Sequence, residues 1–148
     1  MIRFELTPEM MTGEDRMDEE HLTIVELSNN FIDPYTLKAG DVLFQDALNC
    51  LVDYTLYHFA AEEIAMMEAG YPYYERHRQW HESFRTKMVS YMARGRTRNA
   101  AMEIRMTVSA TVDDWLRNHV PTLDFEFAGF LREKQERIAV YHYFAAVP

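Results

Sequence analysis

From Asp41 to Ala69 the chain meets neither glycine nor proline, and a stretch of that length without either breaker is expected to be a single helix. Phe44, Leu48, Leu51, Thr55, His58, Glu62 and Met66 recur through it every three or four residues, the spacing that puts side chains on one helical face. Such a helix is ~40 Å long. Asp41 stands as its N-cap, and Gly70, followed by Tyr71-Pro72, as its stop. A rod of that length needs partners of similar length to cover its apolar face, and the flanking sequence supplies them. A first helix is expected from about Asp15–Asp18 to Ile32, with Met17, Ile24, Val25, Phe31 and Ile32 inward, stopped by Asp33-Pro34. A third runs from about Tyr73 to Met92 with His77, His81, Phe84 and Met88 on one stripe, ended by Arg94-Gly95-Arg96. A fourth runs from about Asn99 to His119 with Ile104, Val108, Val112, Trp115 and Leu116 inward. Only the last few residues alternate in a strand-like way.

Short connections between four amphipathic helices define the fold class: all-α, an antiparallel up-down-up-down four-helix bundle. One domain is expected over 1–148, with the bundle at about 15–124, an extended N-terminal arm at 1–14 and a C-terminal extension at 125–148. Phe125, Phe127, Phe130, Leu131, Ile138, Tyr141 and Phe144 make that extension too apolar for a free tail. It is expected to form a short fifth helix from about Ala128 to Val140, packed on the bundle or on a second chain as a homodimer or partner contact.

At 48% apolar residues the chain can fill a core, which excludes disorder as its main state. A net charge of -9 argues against nucleic acid or an anionic membrane as partner. A single cysteine, Cys50, excludes an internal disulfide and fits a reducing compartment. The start MIRFELTPEMM lacks the basic and apolar regions of a signal peptide, and no stretch is long and apolar enough to span a bilayer. A cytoplasmic location is expected.

The histidines carry the chemistry. His58 and Glu62 are four apart on the second helix, and His77 and His81 are four apart on the third. Four residues turn about 400°, so each pair shares a face and can converge on one metal. His21 lies early in the first helix, His58 and Glu62 late in the second, His77 and His81 early in the third, and His119 at the end of the fourth. In an antiparallel bundle those four places meet at one end, so five histidines and a glutamate fall at one depth. Asp124 differs: five residues from His119 turn about 500° in an α-helix, off the shared face. Pro121 lies between them, so the fourth helix is expected to end or kink there and let Asp124 turn back.

Read together, His21; His58-Phe-Ala-Ala-Glu62; His77-Arg-Gln-Trp-His81; and His119-Val-Pro-Thr-Leu-Asp124 resemble the hemerythrin family, bacteriohemerythrins in particular. The words HFAAEE at 58–63, Tyr71-Pro72, Phe84 and WLRNH fit the same resemblance, which covers about residues 4–125. Phe4 stands where many bacterial members have tryptophan. The resemblance implies two iron ions with an oxo or hydroxo bridge, Glu62 and Asp124 spanning both. His77, His81 and His119 would complete one iron, and His21 and His58 the other, leaving a position open for dioxygen. It also implies an oxygen pocket walled by Ile24, Phe59, Trp115, Leu116 and Val120.

Other readings weigh less. His77-x3-His81 has half of a zinc site, but Arg78 stands where a zincin metalloprotease needs glutamate. Ferritin-like di-iron proteins use two E-x-x-H motifs and more carboxylates. Cys50 is expected as a small buried side chain, Trp80 as a core aromatic, and Glu63 as a surface or outer residue. Met66 and Met67 are expected against the site, Arg94, Arg96 and Arg98 in a solvated loop, and His142 in a structural role. Reversible dioxygen binding for storage, delivery or buffering is the leading function, and a protein that is not an enzyme is expected. Oxygen or redox sensing through the bundle and its tail comes second. No signalling domain accompanies the bundle in this sequence, which ranks carriage first. Nitric oxide or peroxide reduction at the same irons comes third.

Overall fold

A computed structural model describes residues 3–38, 40–96 and 100–147. Helix α1 (Asp15–Ile32) begins where the Glu14 side chain accepts a hydrogen bond from Met17 N at 2.7 Å, satisfying one of the free donors of the first turn. Asp18 reaches back to hold the arm: its carboxylate accepts from Thr12 N at 2.7 Å and from Gly13 N at 3.0 Å. Further out, Phe4 is buried, and its backbone exchanges two hydrogen bonds with the Asn29 side chain. The arm therefore lies along α1, with a single turn of 3-10 helix at Pro8–Met10.

Asp33-Pro34 does stop α1, and it also starts α2 (Pro34–Lys38), a short helix in place of a plain connection. Proline is tolerated in a first turn, where its missing N–H has no partner to lose, and Asp33 Oδ1 accepts from Tyr35 N at 2.8 Å. Helix α3 (Asp41–Ala69) is the unbroken rod expected, although Gly40 takes the cap position and Asp41 is the first helical residue. It ends at Gly70, whose φ of 67° is the left-handed conformation glycine adopts without penalty. Helix α4 (Tyr74–Gly95) runs three residues past Met92. It ends inside the expected Arg94-Gly95-Arg96, with Arg96 as its cap, and the bare backbone of Gly95 also permits close packing: a Cβ there would lie 3.0 Å from Leu48 Cδ2. Helix α5 begins at Ala101. Asn99 and Arg98 lie outside the described residues.

The largest departure from expectation follows α5 (Ala101–Asp114). The chain does not end its helix at Pro121. It widens into a π-helical segment, Trp115–Asp124, and continues directly into α6 (Phe125–Ala146). A turn closed by i→i+5 hydrogen bonds absorbs about one extra residue, and proline, with no N–H to give, disturbs the α ladder in that stretch. The fifth helix is thus longer than the Ala128–Val140 expected, and the last residues that alternated are helical. Among the described residues there is no strand.

Helices α1, α3, α4 and α5 close a ring, each packed on its neighbours and α5 back on α1. Inside lie Ile24, Phe31, Leu48, Leu51, Met88, Ile104, Val108 and Val112. A second apolar cluster of Met17, Met66, Tyr71, Phe127 and Ala128 docks the start of α6. Phe127, 1% exposed, contributes about 2 kcal/mol of burial. Beyond Lys134, which donates to Ala69 O at 2.8 Å, α6 leaves the bundle: Ile138, Tyr141 and Phe144 are exposed, as is His142. Cys50 is exposed, not buried, because it falls on the outer face of α3 between the inward Leu48 and Leu51. Met67 is exposed for the same reason, while Met66 is buried. No helix of the described residues is long and apolar enough to cross a membrane.

Candidate metal centre

Seven side chains meet at one end of the ring. His21 comes from the start of α1, His58 and Glu62 from the end of α3, His77 and His81 from the start of α4. That convergence requires the helices to alternate in direction. His119 and Asp124 come from the π segment. They share a face because five residues are close to one turn of the wider helix. Asp124 thus joins the cluster through a π-helical segment that contains Pro121, where an end or a kink of the helix was expected.

The seven form two groups that overlap in their carboxylates: Glu62, His77, His81, His119 and Asp124 in one, and His21, His58, Glu62 and Asp124 in the other. Within each, the candidate ligand atoms lie within 4.8 Å of one another. Each carboxylate divides its oxygens between the groups. Glu62 Oε1 is 3.3 Å from His58 Nε2 and 3.8 Å from His21 Nε2, while its Oε2 is 3.2 Å from His81 Nε2 and 3.5 Å from His77 Nε2. Asp124 Oδ2 is 3.1 Å from His21 Nε2, and its Oδ1 is 3.1 Å from His77 Nε2 and 2.9 Å from His119 Nε2.

All seven are buried. Both oxygens of Glu62, both of Asp124, and Nε2 of His21, His58 and His81 have no hydrogen-bond partner. Buried carboxylates and imidazoles without partners are costly, and bound cations would satisfy all of these atoms together. Imidazole with carboxylate is a donor set suited to iron. The residues present fit a pair of metal ions.

Electrostatics point the same way. Burial pushes the Glu62 carboxyl up, but His58 and the other facing histidines outweigh it and hold Glu62 well below the usual carboxylate range. Burial and Glu62 both push Asp124 up, and His119 and His21 carry it well below. Burial pushes His21 and His77 down, yet the facing carboxylates of Asp124 and Glu62 raise both to about 9. His119 is lowered, chiefly by burial.

Two carboxylates outside the cluster fix ring orientation. His58 Nδ1 donates to Glu20 Oε2 at 2.7 Å, and His81 Nδ1 donates to Glu63 Oε1 at 3.0 Å. Each leaves Nε2 free to face the cluster, the arrangement that commonly orients metal-binding histidines. Glu63 was expected at the surface or in this outer role; Glu20 was not singled out. Its one sequence signal is its place beside His21, too weak without knowing that α3 packs against that edge of α1. Arg85 Nη2 holds Glu63 at 3.2 Å, and Arg16 Nε holds Glu20 Oε1 at 3.2 Å.

The five expected wall residues, Ile24, Phe59, Trp115, Leu116 and Val120, are all buried in the main apolar cluster. Trp115 stands edge-on to His21 with centroids 5.1 Å apart. Phe59 stacks flat on His81 at 4.0 Å and lies 5.8 Å from His58, so it touches both groups. Trp80 is more than a core aromatic: its ring lies 3.8 Å from that of His119.

Residues 12–131 match the family described as Hemerythrin HHE cation binding domain. The chain belongs to the hemerythrin family. It is 31% identical over 134 residues to a bacteriohemerythrin of Stenotrophomonas maltophilia, covering 88% of this chain and 82% of that one. A Pseudomonas aeruginosa bacteriohemerythrin is 29% identical over 130 residues with the same coverage. Hemerythrin subunit alpha of Lingula anatina is 33% identical over 87 residues, 59% of this chain and 67% of its own. The hemerythrin domain binds a di-iron centre with dioxygen as ligand, and the buried cluster here is able to hold metal.

Proposed function

We propose that the protein binds dioxygen reversibly, with His21, His58, Glu62, His77, His81, His119 and Asp124 as the ligands of its iron pair. The observation that carries this reading is the uneven split of histidines around two shared carboxylates. One group has three histidines and the other has His21 and His58 alone, which leaves the second iron a ligand short. When bound, the iron pair supplies the electrons and the open position that dioxygen needs. The chain's part is to hold that position and keep it dry. Glu62 and Asp124 offer one oxygen to each side, Glu20 and Glu63 aim His58 and His81, and Ile24, Phe59, Trp115, Leu116 and Val120 exclude water. The exposed single cysteine, Cys50, suits a reducing, cytoplasmic setting.

Anaerobic titration of the diferrous protein with oxygen, followed spectroscopically through several cycles, tests the reading. Repeated oxygenation and release with slow autoxidation is expected. Prompt conversion to a stable diferric state defeats carriage. Leu116→Tyr should keep the iron while adding a hydroxyl to the dry wall. One net hydrogen bond to the ligand is worth about 1 kcal/mol, so oxygen release should slow by about fivefold. Loss of iron in that variant would place Leu116 in the metal's support, not in the wall.

Protons compete with cations for the same nitrogens. His21 and His77, held at about 9, are protonated at neutral pH and must release those protons as a cation enters. Rising pH therefore favours uptake: apparent cation affinity should climb between pH 7 and about pH 9. Calorimetry in buffers of different ionisation enthalpy should show about two protons released per chain. A pH-independent affinity over that range would show that these two imidazoles are not held protonated before the cation enters.

Sensing is the second reading, and one observation favours it. The helix carrying His119 and Asp124 runs on without a break into α6, so a shift of Asp124 moves the exposed apolar end at Ile138, Tyr141 and Phe144. Contact with a second copy or a partner goes with that role. Truncation after Arg137 should convert a dimer to a monomer in size-exclusion chromatography, and an unchanged elution volume would discard the contact.

A further inference from the structure

A cavity open to the outside lies against the buried centre. It has a volume of about 100 Å³ and lies between α1, α3 and α6, with Glu62 among its lining residues. Of the seven clustered side chains Glu62 has the largest exposure, 4%, against 0 or 1% for the rest. Neither of its oxygens has a hydrogen-bond partner. Around it stand Glu14, Glu20 and Arg16 from the start of α1. Ala61 and Ala65 of α3 leave the space open, and Phe127 and Leu131 of α6 close the far side.

The charges in this cleft are arranged in order of depth. Arg16 is outermost, its side chain 61% exposed. Its Nε meets Glu20 Oε1 at 3.2 Å, and the other Glu20 oxygen meets His58. Glu14 is partly occupied in capping α1 through Met17 N. Glu62, deepest, carries a carboxylate with no partner of its own. The lining carries three carboxylates against one guanidinium, and an excess of one charge sign between low-dielectric walls concentrates counter-ions. Three carboxylates suit a cation, whereas apolar dioxygen gains nothing from them. The volume admits a cation with a few waters.

We propose that this cleft is the entrance by which cations reach the buried centre, with the Arg16–Glu20 ion pair as its latch. The proposal rests on the reading of the cluster as a cation-pair site. Arg16 is the one positive side chain lining the cleft; it is held chiefly by its pair with Glu20 and also by Tyr57, and solvent screens an ion pair so exposed. Its outward swing uncovers Glu20 and hands the cation inward to Glu62. Phe127 and Leu131 place α6 as one wall, so the docking of the C-terminal helix sets the width of the route.

Cobalt(II) uptake by the metal-free full-length chain, followed by its d–d absorption in a stopped-flow instrument, tests the route apart from any oxygen chemistry. Arg16→Ala should load about tenfold faster, and the rate in the wild-type chain should fall as ionic strength rises. Ala65→Leu narrows the cleft and should load about tenfold more slowly, reaching the same final absorption, with the acidic steering of a cleft of this kind as the scale. Wild-type rates in both variants, with no salt dependence, would overturn the entrance. If circular dichroism shows Ala65→Leu unfolded, Arg16→Ala decides alone, since that side chain is exposed. A wild-type chain that takes up no cobalt pair fails in a different way: it defeats the reading of the site itself, and the route with it.

Discussion

Glu62→Ala should leave a folded bundle that no longer holds an iron pair. The oxygens of Glu62 lie 3.2–3.8 Å from Nε2 of His21, His58, His77 and His81, so one side chain contributes to both metal groups. Alanine removes the anion that offsets cationic charge on both sides at once. Removing one partner of a buried charge pair costs about 3–5 kcal/mol, which corresponds to roughly 10²–10⁴-fold weaker retention. Iron per chain after desalting, measured with far-ultraviolet circular dichroism on the same sample, checks it. Helicity should persist, because the main apolar cluster does not include Glu62. Glu63→Ala, which removes an outer contact to His81 Nδ1, is the comparison and should weaken the pair less, by about 10–100-fold. A Glu62→Ala protein that retains wild-type iron would show that the carboxylate between the groups is not a ligand.

Much of this architecture is legible in the sequence because helices write themselves at short range. Apolar spacing along 41–69, the stop at Gly70 and the depth-matching of His21, His58, His77 and His119 are all properties of neighbouring residues or of alternating helix direction. What the sequence hides depends on contacts between segments. Asp124 reaches the cluster through a π-helical turn, and α-helical arithmetic applied to His119 and Asp124 cannot foresee a change in the helix itself. Cys50 sits among inward-facing neighbours but points out, since its burial depends on which side of α3 the other helices take. Trp80 and Phe59 are both aromatics at helical spacing, and only packing shows that one lies on His119 and the other on His81. The apolar letters of 138–144 look like a buried face, yet α6 carries them past the end of the bundle, where the described chain offers nothing to cover them.

Glu20→Ala should weaken the two-histidine side and spare the three-histidine side. Glu20 touches no other member of the cluster through its Oε2 than His58, at 2.7 Å from Nδ1, and it is itself held below the ordinary carboxylate range against burial by His58 and Arg16. Removing it frees the His58 ring to rotate and lowers the basicity of Nε2, the atom that faces Glu62. Loss of such an outer partner typically costs 10–100-fold in metal affinity. Here the loss should be unequal, because His21 is the only other histidine on that side. Titration of the metal-free variant with ferrous iron should then separate into two steps, with a one-iron species accumulating between them and a Mössbauer spectrum dominated by one site. Glu20→Gln distinguishes orientation from charge. A glutamine carbonyl still accepts from His58 Nδ1, so partial recovery of the second iron assigns that share of the effect to ring orientation, and the remainder to the lost charge. Equal weakening of both irons in Glu20→Ala would mean that the two groups respond as one unit through Glu62 and Asp124, and that the division of their oxygens does not divide their energies.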